Sequence, residues 1–200
     1  MDAAKSCSSP TSAIKITPTA TTIEMAATAP APPAAATTKN GCERKWKSKN
    51  GERLRDPQGY RLRASGVCAR RNATNGELEV LLVSAQRGPH SYVIPGGGLE
   101  LGEQMSEAVI REVEEEAGVR ADVVEMIGEF WDHERLHRTA LFLLTPVHEL
   151  HEWQDGRDGR LRCWLSCAEA LAAVKPSQRP MLEKTTFRIA EIEKTAMSAR

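Results

Sequence analysis

The sequence predicts an α+β domain, a mixed β-sheet packed between helices in an α/β/α sandwich. Three observations carry that expectation: most patterned segments alternate as strands do, few have helical spacing, and the two kinds do not alternate regularly as a doubly wound nucleotide fold requires. In order, "GYRLRASGVCAR" (59–70) alternates polar and apolar residues, and "ELEVLLVSAQR" (77–87) follows the turn-like "NATNG", giving two strands. "QMSEAVIREVEEEAG" (104–118) has helical spacing and ends at Gly118, a residue able to take the left-handed conformation of a C-cap. "VRADVVEMIGEFWDHERLHR" (119–138) and "TALFLLTPVHEL" (139–150) read as strands joined by a charged turn, and "RLRCWLS" (160–166) as another strand. A short helix, "CAEALAAV" (167–174), comes next. "SQRPMLEKTTFRIAEIEKTA" (177–196) is interrupted by Pro180, with a terminal helix after it. No internal repeat is visible.

A chain of 200 residues suits one core plus a tail. Residues 1–40 are mostly Ala, Thr, Pro and Ser and offer almost nothing to bury. Such a segment cannot offset its own ordering entropy, so a disordered tail is expected over 1–50 and the folded domain over 51–200. The tail carries Asp2 and Glu24 and no Arg before Arg44, unlike a secretory or mitochondrial presequence. No window approaches the roughly 18 consecutive apolar residues of a membrane span, so a soluble protein is expected. Five cysteines include one close pair, Cys163 and Cys167, with no second pair to complete a zinc site; free thiols in a reducing compartment are the expectation. Residues 1–50 hold seven of the 27 Lys+Arg and three of the 27 Asp+Glu, leaving 20 basic and 24 acidic groups in the domain. That slightly acidic balance does not support a nucleic-acid-binding field. Of the 20, only Lys175, Lys184 and Lys194 are lysines; the arginines suit bidentate recognition of carboxylate or phosphate.

The segment "IPGGGLELGEQMSEAVIREVEEEAGV" (94–119) carries seven glutamates and one arginine. With helix residues about 100° apart, Met105, Val109 and Val113 share an apolar face, Glu116 projects about 20° from Val109 and Glu112 about 60° from it. A solvated acidic face accounts for Glu107 and Glu114 on the opposite side. It does not account for Glu112 and Glu116, because a carboxylate turned toward a core must be paired, protonated or bound to a cation. Arg111 lies off this face and is expected to neutralise at most a neighbour. Glu112, Glu115 and Glu116 have the i, i+3, i+4 spacing at which side chains converge. Oxygen-only ligands favour a hard divalent ion such as Mg²⁺ or Mn²⁺. Alone, "PGGG" reads as a turn; close to these acids, its bare backbone offers carbonyls and amides to a cation or phosphate.

Gly97, Glu103, Arg111, Glu112, Val113, Glu115, Glu116, Gly118 and Val119 match G-x5-E-x7-R-E-U-x-E-E-x-G-U in full, where U is aliphatic. This is the Nudix box, and its seven fixed identities make the motif specific. The domain therefore resembles a Nudix hydrolase. The resemblance implies the Nudix fold, a mixed sheet between helices, and divalent-metal hydrolysis of a diphosphate linked to another moiety. Carried over by position, it makes the Gly96 carbonyl, Glu112 and Glu116 metal ligands, Glu115 the base or water-orienting residue, and Arg111 with Glu103 a structural ion pair.

"GYRLRASGVCAR", "EVLLVSAQRGPHSYVIPGGG", "HERLHRT", "EWQD" and "RLRCWL", in this order and spacing, resemble the diphosphoinositol polyphosphate phosphohydrolase branch of that family, from about Asp56 to Lys175. The branch implies removal of the β-phosphate from diphosphoinositol polyphosphates, with diadenosine polyphosphates as a second substrate. Its inositol-phosphate positions fall here on Arg53, Arg61, Arg63, Arg87, Arg135, His137, Arg160 and Lys175. The likeness departs at Leu62 and Leu136, where lysine is usual, at Ala85 and Gln86, which replace a serine pair, and at Tyr92, which replaces tryptophan. The low aromatic content, 4%, argues against a base sandwich, and Trp131, Trp153 and Trp164 are expected in core or surface packing, with stacking by any one of them left as the alternative. The alternatives are a dinucleoside polyphosphate hydrolase or another nucleotide-diphosphate Nudix enzyme, and a non-catalytic polyphosphate-binding module. The expected partner is a small-molecule polyphosphate, with no nucleic acid and no membrane. The expected state is a monomer in the cytoplasm, with the nucleus as a second location.

Overall fold

The computed structural model describes residues 54–86 and 91–198, preceded by two short strands, β1 (Lys47–Ser48) and β2 (Gly51–Glu52). Those two pair antiparallel, so Lys47 and Ser48 of the expected tail lie in a strand. The rest of the tail, and the candidate ligands Arg53 and Arg87, lie outside the described residues. The domain continues as β3 (Arg61–Arg71), β4 (Leu78–Ser84), β5 (Tyr92–Val93), β6 (Gly96–Gly98), α1 (Met105–Ala117), β7 (Val119–Asp132) and β8 (His137–Glu149). It ends with α2 (Gln154–Arg157), β9 (Arg162–Ser166), α3 (Cys167–Ala173), a 3-10 turn at Pro176–Gln178 and α4 (Arg179–Ser198). No described helix is long and apolar enough to cross a membrane.

Seven strands form one mixed sheet in the order β5-β4-β3-β8-β7, with β6 against β3 and β9 against β4. The β3–β8 pair is parallel and the remaining pairs are antiparallel. β3 meets β4 only at Ala69–Arg71; its first half pairs with β6 instead, through Arg63–Ser65. The two strands thus part company, and β6 enters where they separate.

Two-residue alternation assigns the core. On β8, Ala140, Phe142 and Leu144 face one layer, while Leu141 and Leu143 face the other. The first layer packs under α1 through Ala108, Val109, Val113 and Ala117. The second packs under α3 and α4 through Ala170, Met181, Leu182 and Ile189. This is the helix–sheet–helix sandwich expected from the sequence.

Three local details differ from expectation. The glycine triplet is a strand, because its backbone completes the edge that β3 offers. Pro180 does not interrupt the last helix; it occupies the first turn of α4, where a missing N–H costs no hydrogen bond. α2, only four residues long, is too short to leave a periodic signature. Gly118 does cap α1 as expected, at φ 63°, its N–H donating to the Glu114 carbonyl at 2.9 Å.

Candidate active site

Val109 and Val113 anchor α1 to the sheet with no exposed surface, and the helical repeat then carries Glu112 and Glu116 toward the same side. Their side chains are 12% and 14% exposed, against 31% for Glu115. Glu116 is gripped at both oxygens: the Gly96 N–H donates to Oε2 at 2.8 Å and Arg160 Nη1 to Oε1 at 2.9 Å. Burial pushes this carboxyl up to about 7, against the pull of Arg160 and the Gly96 amide. Burial also raises Glu112, opposed by Arg111.

The glycines of β6 are dictated by what lies over them. A Cβ on Gly97 would land on the Glu112 carboxylate, and one on Gly98 would strike the Arg61 guanidinium. Bare backbone at both positions lets an acid from α1 and a base from β3 approach one strand from different directions.

Arg111 does more than neutralise one neighbour. It forms a bidentate pair with Glu103 at 2.8 and 2.9 Å, the expected structural ion pair. Its Nη1 also donates to Glu112 at 3.0 Å and to Glu115 at 3.5 Å, and its Nη2 to the Gly98 carbonyl at 3.1 Å. One guanidinium thereby ties the approach to α1, the helix and β6 together. Hydrogen bonding to Arg111 holds the Glu103 carboxyl below its ordinary range.

Opposite the acids stands a basic wall. The parallel register sets Arg61 beside His137 and Arg63 beside Thr139, so the two arginines and the histidine share one face. Leu136 closes the β7–β8 turn in the left-handed region, at φ 51°, and its carbonyl accepts the Arg61 N–H at 2.7 Å. Asp132 holds Arg135 in the same turn through the Arg135 N–H at 2.9 Å and Nη1 at 2.8 Å. Partial burial, then the charges of Arg63 and Arg61, push the His137 imidazole down to about 4. Lys175 is fixed by its N–H, which donates to the Tyr92 carbonyl at 2.9 Å.

The glutamates Glu112, Glu115 and Glu116 and the basic wall line one open cleft of about 800 Å³. The structure therefore brings together Gly96, Glu112, Glu115 and Glu116 with Arg61, Arg63, Arg135, His137, Arg160 and Lys175. Among the described residues no three His, Cys, Asp or Glu side chains are gathered into a metal cluster. Instead Arg63 donates to the Gly96 carbonyl at 2.9 Å, Arg111 holds Glu112 and Arg160 holds Glu116. The donor chemistry still fits a hard divalent cation: the oxygens belong to one cleft, and two of the carboxylates are buried where a cation would compensate them.

Two cleft residues escaped the sequence reading. Asp155 accepts from Arg160 Nη1 at 3.0 Å; the signal was an acid five residues before a buried arginine, inside "EWQD". Trp131, expected as packing, is 45% exposed at the cleft rim, braced edge-on by Tyr60 at 5.0 Å, with the Arg138 guanidinium over its ring at 4.9 Å. Trp153 does pack: its Nε1 donates to the Glu116 carbonyl at 3.1 Å, and the Arg162 guanidinium lies over its ring. Arg162 also donates to the Ala117 and Gly118 carbonyls at 3.0 Å each, so the segment after β8 clasps the end of α1 beside Glu116.

Residues 61–185 match the NUDIX domain. The chain is 39% identical over 140 residues to diphosphoinositol polyphosphate phosphohydrolase 3-alpha of Mus musculus, covering 68% of this chain and 84% of that protein. It is 38% identical over 139 residues to diphosphoinositol polyphosphate phosphohydrolase 2 of Homo sapiens, covering 68% and 76%. The solution structure of the E. coli ORF135 protein superposes with a TM-score of 0.50 at 22% identity, over 65% of this chain and 91% of that one, a likeness of fold. The domain match spans more than half of the chain and contains the whole glutamate-bearing helix, and on that ground the chain belongs to the Nudix family, as a hydrolase.

Proposed function

We propose that this Nudix hydrolase removes the β-phosphate of diphosphoinositol polyphosphates with the aid of Mg²⁺ or Mn²⁺. The observation that carries the reading is the single cleft in which an oxygen-rich acidic corner meets a wall of Arg61, Arg63, Arg135, His137 and Lys175. An inositol ring bearing many phosphates needs several cationic donors around it, and guanidinium groups match phosphate oxygens in pairs. The relatives named for that activity supply the second support.

The Gly96 carbonyl, Glu112 and Glu116 are the residues that would hold the divalent ion. When bound, the ion neutralises phosphate oxygens and acidifies a water. Glu115 is the more exposed acid beside that set and takes the water's proton. Water oxygen joins phosphorus as the anhydride P–O bond breaks, and the electron pair leaves with the departing phosphate oxygen. Arg61, Arg63 and Lys175 bind and orient the anion. Arg160, nine-tenths buried, faces the reacting end beside Glu116.

A second reading, hydrolysis of dinucleoside polyphosphates, is favoured by the open ring of Trp131 at the cleft rim, a surface on which a base would stack. Turnover of a diphosphoinositol and a diadenosine substrate, compared with Mg²⁺ present and then chelated, tests both. On the inositol reading, changing Arg61 and Arg63 to Ala lowers kcat/KM for the inositol substrate by more than about 10-fold, the scale of lost charge-assisted hydrogen bonds, and lowers it far less for the diadenosine substrate. An equal loss on both substrates would sink the inositol assignment. On the second reading, Trp131→Ala raises KM for the diadenosine substrate alone.

A further inference from the structure

The Arg160 guanidinium is 8% exposed and shared by two acids through the same nitrogen, Glu116 at 2.9 Å and Asp155 at 3.0 Å. Its Nε is buried without a hydrogen-bond partner. A backbone bond from the Arg160 N–H to the Asp155 carbonyl, 3.0 Å, closes the turn that presents the pair. The arrangement sets a problem for cation binding: the carboxylate that would take a divalent ion, Glu116, already accepts a hydrogen bond at Oε1 from a fully charged guanidinium. Were Arg160 matched to Glu116 alone, it would compete with any ion for that carboxylate. Asp155 changes the balance by adding a second negative group to the same guanidinium.

We propose that Asp155 is a positioning residue that draws Arg160 off Glu116, so that a divalent cation can take the carboxylate while the guanidinium stays beside it. The inference rests on the proposed metal set. Asp155, only 20% exposed, lies in the first turn of α2 and keeps a fixed anchor for Arg160 when Glu116 changes partner. The unpartnered Nε–H, in a side chain that lines the cleft, is then the donor left for an oxygen of the ligand. Asp155 is here an acid that acts on the metal site through Arg160, not a metal ligand. Those two roles predict different double variants. Losing Asp155 and Arg160 together removes one charge of each sign and leaves the local balance unchanged if Asp155 acts through Arg160. The same pair of changes leaves the ion short of a ligand if Asp155 binds it directly.

Mn²⁺ titration of the full chain by calorimetry without substrate reads this directly. Asp155→Asn is expected to weaken Mn²⁺ binding on the order of 10-fold, the lower end for groups that support metal ligands. The double variant D155N/R160Q is expected to recover to within about 3-fold of the parent, a cancellation that independent sites would not show. Asp155→Glu, which keeps the charge, is expected to restore most of the affinity. Arg160→Gln alone, a test that does not depend on Asp155→Asn folding, is expected to bind Mn²⁺ at least as tightly as the parent. Parental Mn²⁺ affinity in Asp155→Asn overturns the proposal, as does a double variant no better than the single one or weakened binding in Arg160→Gln. If the parent itself binds no Mn²⁺, or binds it equally well as Glu116→Gln, the metal set has failed rather than the role of Asp155 alone.

Discussion

α1 and α4 cover opposite faces of one sheet and differ in what they bury. α4 seals its face with Met181, Leu182, Thr185 and Ile189. Its charged residues reach outward, Arg188 to Glu125 and Glu193 to Arg71, in pairs exposed enough to add at most about 1 kcal/mol each. α1 buries only Ala and Val residues along its inner face. Small side chains let it lie close to β3, where a Cβ on Gly66 would overlap methyls of Leu144 and Val109 and crowd one of Val113. That closeness brings the glutamates of its next turn to the strand edge, where Arg111, Arg160 and the Gly96 amide offset the desolvation of two carboxylates. A helix packed with large residues stabilises; one packed with small residues delivers polar groups to the sheet.

The sharpest way to break that distinction is to change each helix at one buried position. Glu116→Gln keeps the volume and an acceptor for the Gly96 N–H, so melting should move little, while turnover falls by about 10³-fold, the scale on which removing a charge-stabilising group acts. Full activity in this variant would remove the metal assignment. Leu182→Ala on α4 leaves a cavity in a fully buried site and should cost about 3 kcal/mol in a denaturant titration, with turnover per folded molecule unchanged. If Leu182→Ala cuts turnover as deeply as Glu116→Gln does, the two helices do not divide stability and chemistry in this way.

How much of this was legible in the sequence follows from the reach of each signal. The α1 acids were readable because helical periodicity is local: Val109, Val113 and Glu116 fix one another's direction within two turns. The sandwich was readable because many strand-like segments stand among few helical ones with no regular alternation of the two; which residues of β4 and β8 face which layer came only with the fold. The strand identity of Gly96–Gly98 was not, since glycine has little strand preference and the pairing that makes the strand comes from β3, more than thirty residues away. Asp155 was missed for the same reason. Its meaning depends on Arg160 turning back to Glu116, a contact across 44 positions that no spacing rule encodes. The reach of Arg111 was underestimated because rotation about the helix axis fixes where a side chain starts, not where a long guanidinium ends.

The smallest expected effect tests the basic wall opposite α1. His137 is pushed down to about 4 by partial burial and by Arg63 and Arg61, with Arg135 adding to them and Asp132 opposing. A folded-state value below the unfolded 6.5 means the unfolded chain binds this proton first, so the stability tied to this group is present above about 6.5 and is lost as pH falls toward 4. A polyanion in the cleft offsets the fields of Arg61 and Arg63 and moves the imidazole back up. Binding at about pH 5.5 should then take up a fraction of one proton, visible as a buffer-dependent heat when an inositol polyphosphate is titrated in two buffers of different ionisation enthalpy. His137→Gln should remove both the uptake and that part of the acid sensitivity. Undiminished uptake in the variant would mean that another group in the cleft gains the proton, and that His137 does not face the anion as the parallel register of β3 and β8 implies.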